Sequence, residues 1–377
     1  MDPKPNLPAA RDKLLFTPGP LTTSLTVKTA MLHDAGSWHS EFNAIVKAVR
    51  EKLLALAGLS GEAGYEAILM QGSGTFGVEA VLATVIPSDG KLLVVSNGAY
   101  GERMIRMAQY LKIECAALRC AENCIPDLHQ FEQSLTADLS ISHVAVVHCE
   151  TTTGILNPIS ELGQITRRHR RSYIVDAMSS FGAIKIDLEA AGIDYLISSA
   201  NKCLEGVPGF SFVIARRASL LGSEGHARSL SLDLLDQLRG FEKNGQFRYT
   251  PPTHSILAFE QALKELDQEG GVAARGTRYQ RNHHVLVEGM QKLGFRAYLD
   301  RAVQSYIITA FHYLADPKFT FADFYARLAG KGFIIYPGKI SQADTFRVGS
   351  IGRLFESDMR ALLAAIAEVL EEMEIKS

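Results

Sequence analysis

Cysteine is scarce. The 377-residue chain has five, Cys115, Cys120, Cys124, Cys149 and Cys203, an odd number with no CxxC pair among them. This argues against a disulfide framework and a paired-cysteine zinc site, so no metal is expected and the thiols read as reduced. Long apolar runs are missing too, for no stretch approaches the roughly 18 residues that a membrane span needs. The opening MDPKPNLPAARDKLLFTPGP sets prolines and charges where a secretory signal requires an apolar core. A cytoplasmic protein without membrane contact is the expectation. Excess charge of one sign is absent as well. Lys and Arg number 39 against 41 Asp and Glu, net −2, so no global field favours nucleic acid and any anion must be recognised locally.

What is present is enough apolar material for a large packed protein: hydrophobic residues make up 47% and charged residues 21%. From about residue 65, short apolar runs alternate with helix-period segments, the pattern of βαβ units. The runs are 67–70, 92–95, 143–148, 173–175, 195–197 and 210–214, and helices are expected over 75–84, 102–111, 127–135 and 160–169. Nearly continuous apolar strands imply a mostly parallel sheet covered on both faces. The last two runs are joined by too little chain for a helical crossover, so one of them is expected to be antiparallel. Beyond residue 255 longer helices, 255–268 and 357–372, interleave with a few strands. The fold class expected is α/β, with an N-terminal lead-in over 1–20, a large domain over 21–255 and a smaller α+β domain over 256–377.

The segment Gln71-Gly72-Ser73-Gly74-Thr75-Phe76-Gly77 follows a strand, opens a helix and satisfies GxGxxG. An NAD(P)-dependent oxidoreductase is therefore one reading. That reading needs an acid about 20 residues further on for the ribose hydroxyls, where this chain has Ser96-Asn97-Gly98. A single phosphate suits the loop equally, through backbone N–H groups at the helix start and the Ser73 and Thr75 hydroxyls. A plain structural turn is the third reading.

Two charged residues stand at strand ends, where α/β proteins place their sites. Asp176 closes the apolar run Tyr173-Ile174-Val175, and Lys202 follows Ser198-Ser199-Ala200-Asn201. Alone, each reads as an ordinary surface or ion-paired charge. Together with the glycine loop they match the needs of pyridoxal phosphate: an amine to join the cofactor, an acid for its pyridine nitrogen and a cradle for its phosphate.

At these residues the chain resembles the fold-type I, class V pyridoxal-phosphate aminotransferases, relatives of the alanine–glyoxylate and serine–glyoxylate enzymes. The resemblance runs from Phe16-Thr17-Pro18-Gly19-Pro20 through Glu150-Thr151-Thr152-Thr153-Gly154 to the Arg347 region. Ser198-Ser199-Ala200-Asn201-Lys202-Cys203, Val207-Pro208-Gly209 and Tyr249-Thr250-Pro251-Pro252-Thr253-His254 look like the branch that acts on aminophosphonates. The resemblance implies a mostly parallel seven-stranded sheet flanked by helices. It implies that Lys202 is the Schiff-base lysine, Asp176 the partner of the pyridine nitrogen, and Ser73, Gly74 and Thr75 the phosphate loop. Tyr100 falls where relatives place an aromatic ring, often Trp, against the cofactor, and Thr151 where they place a hydroxyl. Arg347 resembles the family's substrate-anion arginine, and Lys339 adds charge for a dianionic phosphonate. Thr250 lies in a stretch that in relatives reaches the cofactor phosphate of the other subunit, which implies a homodimer. The expected substrates are 2-aminoethylphosphonate and pyruvate, with an alanine– or serine–glyoxylate reaction as the alternative. His148, Cys149 and Glu150 read as a strand-end triplet beneath the cofactor rather than as a metal or thiol site.

Overall fold

The computed structural model describes residues 12–59 and 63–375, so the first part of the N-terminal opening lies outside the described residues. Leu14–Leu15 (β1), Leu25–Ala30 (α1) and Ser40–Leu56 (α2) precede a strand–helix alternation. It runs Tyr65–Gln71 (β2), Gly74–Val85 (α3), Lys91–Ser96 (β3), Ala99–Tyr110 (α4), Glu114–Arg119 (β4), Leu128–Ala137 (α5) and Ile141–Val147 (β5). A tight pair, Cys149–Glu150 (β6) and Ile155–Leu156 (β7), leads to Ile159–Arg168 (α6), Ser172–Asp176 (β8), Tyr195–Ser199 (β9) and Phe210–Arg216 (β10). Arg217–Leu221 (α7), Leu234–Asn244 (α8), Thr253–Glu269 (α9) and Gly271–Lys292 (α10) follow. The chain ends with Ile308–His312 (β11), Phe321–Gly330 (α11), Phe333–Ile334 (β12), Tyr336–Pro337 (β13), Thr345–Gly349 (β14) and Glu356–Glu372 (α12).

Seven strands form one sheet in the order β2-β10-β9-β8-β5-β3-β4. Strand β10 runs antiparallel to both β2 and β9, and the remaining pairs are parallel. That is the antiparallel member expected from the short 200–209 connection, which has no room for a crossover helix. Strand β4 carries no apolar run to announce it. Its sequence Glu-Cys-Ala-Ala-Leu-Arg suits a half-solvated edge position.

The sheet's inner strands are buried because both faces are covered: Val144, Ala145, Val146, Ile174 and Val175 are all fully enclosed. The same apolar cluster takes in α2 through Phe42, Val46, Val49 and Leu53, and α9 through Ile256, Phe259, Leu263 and Leu266. A second cluster gathers Leu286, Met290, Phe295, Phe311, Phe324, Phe346, Leu362 and Ile366 around the three-stranded sheet β11-β14-β13. Phe16, from the arm after β1, is buried in that second cluster, and β1 pairs parallel with β12. The arm is thereby fixed across the rim on which β2, β3, β5, β8 and β9 all end. Among the described residues no helix is long and apolar enough to cross a membrane.

Phe346 is fully buried, with ring centroids 5.3 Å from Phe295 and 5.4 Å from Phe324. Phe346→Ala is expected to lower unfolding free energy by about 3–5 kcal/mol in urea titrations. A loss below about 1 kcal/mol would contradict this account of the second core.

Candidate active site

The carboxyl ends of the strands enclose a cavity of about 420 Å³ whose wall includes Ser73, Tyr100, Thr151, Asp176, Met178 and Lys202. Its size is that of an ordinary small-molecule site, roughly 300–1,000 Å³. Beside it opens a broader groove of about 940 Å³ that shares Thr75, Arg103 and Met107 with the cavity and reaches Lys339.

Lys202 projects from the turn after β9. Its Nζ donates to the Pro18 carbonyl at 2.6 Å and lies 3.4 Å from the Gly19 carbonyl, while no carboxylate among the described residues pairs with it. Withdrawal of the amine from water lowers its pKa to about 8, against partly compensating attraction from neighbours such as Asp176. The Pro18 carbonyl is held in place by the arm. Phe16 is packed in the second core, Gly349 N donates to the Phe16 carbonyl at 2.9 Å, and Leu15 N donates to Thr22 Oγ1 at 2.8 Å. Gly19 is required at this approach. Its φ is +105°, and a Cβ there would stand 2.6 Å from the Asn201 carbonyl oxygen and 2.7 Å from Lys202 Cδ.

Asp176, at the end of β8, is 5% exposed and accepts from Met178 N at 2.9 Å. No cationic side chain among the described residues is bonded to it, and burial raises its pKa to about 6. Across the cavity, α3 begins at Gly74. Its N-cap Ser73 makes no side-chain cap bond, so the hydroxyl and the Gly74 and Thr75 N–H groups at the helix start are open to an anion, while Phe76 N donates to the Ser73 carbonyl. Arg103 Nη1 donates to Thr75 Oγ1 at 3.1 Å beside them.

Glu150 is fully buried and caps α4. Its carboxylate accepts from Tyr100 N at 3.2 Å, Gly101 N at 3.3 Å and Thr152 Oγ1 at 2.7 Å, while Thr152 Oγ1 accepts from Ala99 N. This arrangement sets Tyr100 on the cavity wall and gives the Glu150–Gly154 segment its purpose. It also demands glycine at 98, where a Cβ would stand 2.4 Å from Glu150 Cγ. Against the Tyr100 ring lie Arg103, with Cζ 4.7 Å from the centroid, and Lys339, with Nζ at 4.5 Å.

Arg347, on β14, is 2% exposed and donates through Nε to the Pro337 carbonyl at 2.9 Å and through Nη1 to the Thr151 carbonyl at 2.7 Å. Burial lowers its pKa, and so does that of Lys339, where Arg103 and Arg347 add repulsion. These cations gather on one side of the site with no carboxylate paired to any of them among the described residues.

Seven sequence-predicted residues thus meet at one cavity: Ser73, Gly74, Thr75, Tyr100, Thr151, Asp176 and Lys202. Arg347 stands behind Thr151 rather than in the wall, and Lys339 lines the neighbouring groove. Thr250 is exposed and outside the wall; its carbonyl and that of Tyr249 accept from Gln71 Nε2. His148 lies beneath the site, bonded to Ser180 Oγ at 2.9 Å and kept neutral by burial, with its pKa near 4. Sequence reasoning passed over Arg103, one turn beyond Tyr100, and the role of the Pro18–Gly19 carbonyls. Nothing local in Thr17-Pro18-Gly19-Pro20 shows that this segment folds back on residue 202. Among the described residues no group of three or more His, Cys, Asp and Glu is placed to hold a metal ion. No acid ends β3, where a dinucleotide reading of the glycine loop needs one; Ser96, Asn97 and Gly98 stand there.

A buried acid, an uncharged-prone amine and an open helix start around one cavity on this sheet are the arrangement of an aminotransferase. The family model described as aminotransferase class-V matches residues 24–339, and the chain belongs to that family. It is 55% identical over 359 residues to the 2-aminoethylphosphonate–pyruvate transaminase of Klebsiella pneumoniae subsp. pneumoniae, covering 95% of this chain and 97% of that one. With the enzyme of the same name from Salmonella heidelberg it shares 53% over 367 residues, 97% of this chain and 100% of the other. Among solved structures, ureidoglycine–glyoxylate aminotransferase from Bacillus subtilis superposes with a TM-score of 0.88 at 22% identity, over 98% of this chain and 96% of that one. Alanine–glyoxylate aminotransferase from Nostoc sp. gives 0.87 at 22% identity, over 98% of both chains. The fold is therefore that of the fold-type I aminotransferases, as the resemblance implied.

In cofactor-free protein, modification of Lys202 by an amine-reactive reagent is expected to reach half its maximal rate near pH 8, as read by peptide mass spectrometry. Only the uncharged amine attacks, and a fall from 10.5 to about 8 raises that form on the order of 300-fold at pH 7. A half-maximum above pH 10 would contradict the site's electrostatics.

Proposed function

We propose that the protein transfers the amino group of 2-aminoethylphosphonate to pyruvate with pyridoxal phosphate, yielding phosphonoacetaldehyde and L-alanine. The observation that carries this reading is the pairing of unmatched groups around one cavity. Among the described residues no acid is bonded to Lys202, no cationic side chain to Asp176 and no carboxylate to Arg347, Arg103 or Lys339. The two transaminases more than half identical to this chain over nearly its whole length support the choice of substrates.

Pyridoxal phosphate fits these residues. Asp176 is a buried carboxylate waiting for a cationic donor, and the free Ser73 cap and open α3 N-terminus suit a phosphate. Ser73, Gly74 and Thr75 would hold that phosphate, Tyr100 would lie against the ring, Thr151 would offer its hydroxyl and Lys202 its amine. Bound there, the cofactor supplies an electrophilic carbon for the amino group and a ring that accepts the electron pair left when the substrate's amino carbon loses a proton. Asp176 would pair with the ring nitrogen and favour its protonated form, and that cation would in turn draw the raised pKa of Asp176 back down. Lys202 Nζ, whose lowered pKa favours the uncharged amine, would serve as the base that takes the proton from the substrate's amino carbon. Arg347, whose Nε and Nη1 hold the Pro337 and Thr151 carbonyls, would offer its remaining Nη2 donors to the substrate anion, phosphonate in one half-reaction and carboxylate in the other, and Lys339 would add charge for the dianion.

A homodimer belongs to the same reading. Leu25, Leu32 and Trp38 are 78%, 80% and 79% exposed, and Phe76 and Tyr249 also stand out. The 31–39 loop lies beside the Tyr249–His254 segment, where Asp34 bonds His254 at 3.2 Å. Apolar surface of this kind suits a second copy, to whose cofactor phosphate Thr250 would be offered.

The test is a half-reaction panel on cofactor-loaded protein, following loss of the visible cofactor band with 2-aminoethylphosphonate, alanine and serine as donors. 2-Aminoethylphosphonate is expected to discharge the band with the highest kcat/KM among non-product donors, and alanine to do so as the reverse of the pyruvate step. Discharge by serine but not by 2-aminoethylphosphonate would overturn the substrate, and a protein with no such band would overturn the cofactor.

A further inference from the structure

Four charges and a tyrosine are buried directly behind the lysine turn. Arg275 is fully enclosed on α10, with Nε 2.8 Å from Glu269 Oε2 at the end of α9. Arg278 reaches Glu269 Oε1 at 2.7 Å and Glu205 Oε1 at 2.6 Å. Tyr279 Oη donates to Glu205 Oε1 at 2.6 Å. The charges balance, but Glu205 Oε2 and Arg275 Nη2 have no hydrogen-bond partner among the described residues, and they stand 3.8 Å apart. Apolar residues of similar volume commonly brace a fold as well as or better than such a cluster, whose desolvation costs several kcal/mol per ion. Glu205 adds a further cost, with φ +59°, in the left-handed region that a non-glycine residue disfavours.

The geometry around Lys202 offers a reason for that expense. Glu205 N donates to the Lys202 carbonyl at 2.8 Å, and Arg275 Nη1 donates to the Cys203 carbonyl at 2.9 Å. The cluster therefore clamps the turn that carries the lysine. It also reaches the other side of the amine. Gly352 N donates to Tyr279 Oη at 3.2 Å, and Arg278 Nη1 donates to the Gly352 and Leu354 carbonyls at 2.6 and 2.9 Å. Arg353 N in turn donates to the Thr22 carbonyl at 2.7 Å, two residues beyond the Pro18–Pro20 loop whose carbonyl accepts from Nζ. Arg275 thus holds the turn that presents Lys202, while Arg278 and Tyr279 of the same cluster hold the 352–354 segment that meets the amine's loop at Thr22.

We propose that Glu205, Glu269, Arg275, Arg278 and Tyr279 are positioning residues that register the Lys202 amine for proton transfer, acting through the Cys203 carbonyl and the 350–354 segment. This rests on the reading of Lys202 given above, but not on the identity of the amino donor, since the proton shift is common to all donors. Removing one bond of the cluster frees the amine to leave the Pro18 carbonyl and sample water. The charged and titratable groups around Nζ are Cys203, Asp176, Arg347 and Cys149, and changes at 205 or 279 leave all four side chains in place.

The test uses full-length Tyr279→Phe, which deletes one oxygen, with Glu205→Ala and Glu205→Gln beside it. In the loaded enzyme, Tyr279→Phe and Glu205→Ala are expected to lower kcat of the amine half-reaction about 10- to 100-fold with KM within about twofold. The isotope effect of a donor deuterated at its amino carbon should rise. In the cofactor-free chain, the pH of half-maximal Lys202 modification should move upward. Glu205→Gln, which keeps an acceptor for Tyr279, should restore most of each. Should Glu205→Ala fail to fold, Tyr279→Phe decides alone. Parent-like kinetics, or a loss of stability with isotope effect and pH midpoint unmoved, overturns the positioning role while Lys202→Ala remains inactive. A Lys202→Ala variant as active as the parent would instead sink the reading of the lysine itself, and this proposal with it.

Discussion

An amine bonded to no carboxylate among the described residues is the constraint on which the rest of this structure depends. Lys202 meets a backbone carbonyl, Pro18, instead of an acid, and a neutral acceptor does little to hold the proton. The arm from β1 has to cross the rim and bury Phe16 in a distant core for that carbonyl to arrive. Glycine is obligatory at 19 so that the backbone can come close enough.

The same logic governs the opposite wall. Asp176 is buried with a single backbone donor, and α3 starts with its cap hydroxyl idle. A protein optimised only for stability would pair Asp176 with Lys202, since both face one cavity. Keeping them unpaired leaves each available to a ligand that carries a cation at one end and an anion at the other. Elsewhere in the site the polar groups are matched, as at the α4 N-terminus, whose N–H groups are met by Glu150 and Thr152.

Much of the fold was legible because its inner strands are buried on both faces and therefore read as unbroken apolar runs. The antiparallel turn of β10 followed from chain length alone. Edge strand β4 was not legible, as its half-solvated position asks for no apolar run. At the site, Asp176, Lys202 and the 73–75 loop were visible because each ends a strand or opens a helix. Arg103 was hidden among ordinary helix charges, and the Pro18 contact spans 184 residues, a separation that no local pattern encodes. Arg347 was recognisable by resemblance, yet its place behind Thr151 rather than in the wall came only from β14 packing against the Glu150–Gly154 segment.

The account stands on Lys202 being the residue that carries the cofactor. Borohydride reduction of the loaded enzyme, followed by digestion and mass spectrometry, addresses that directly. A single reduced pyridoxyl phosphate adduct on the peptide containing Lys202 is the predicted result. An adduct on another lysine, or none at all in a protein that retains its visible band, would contradict it.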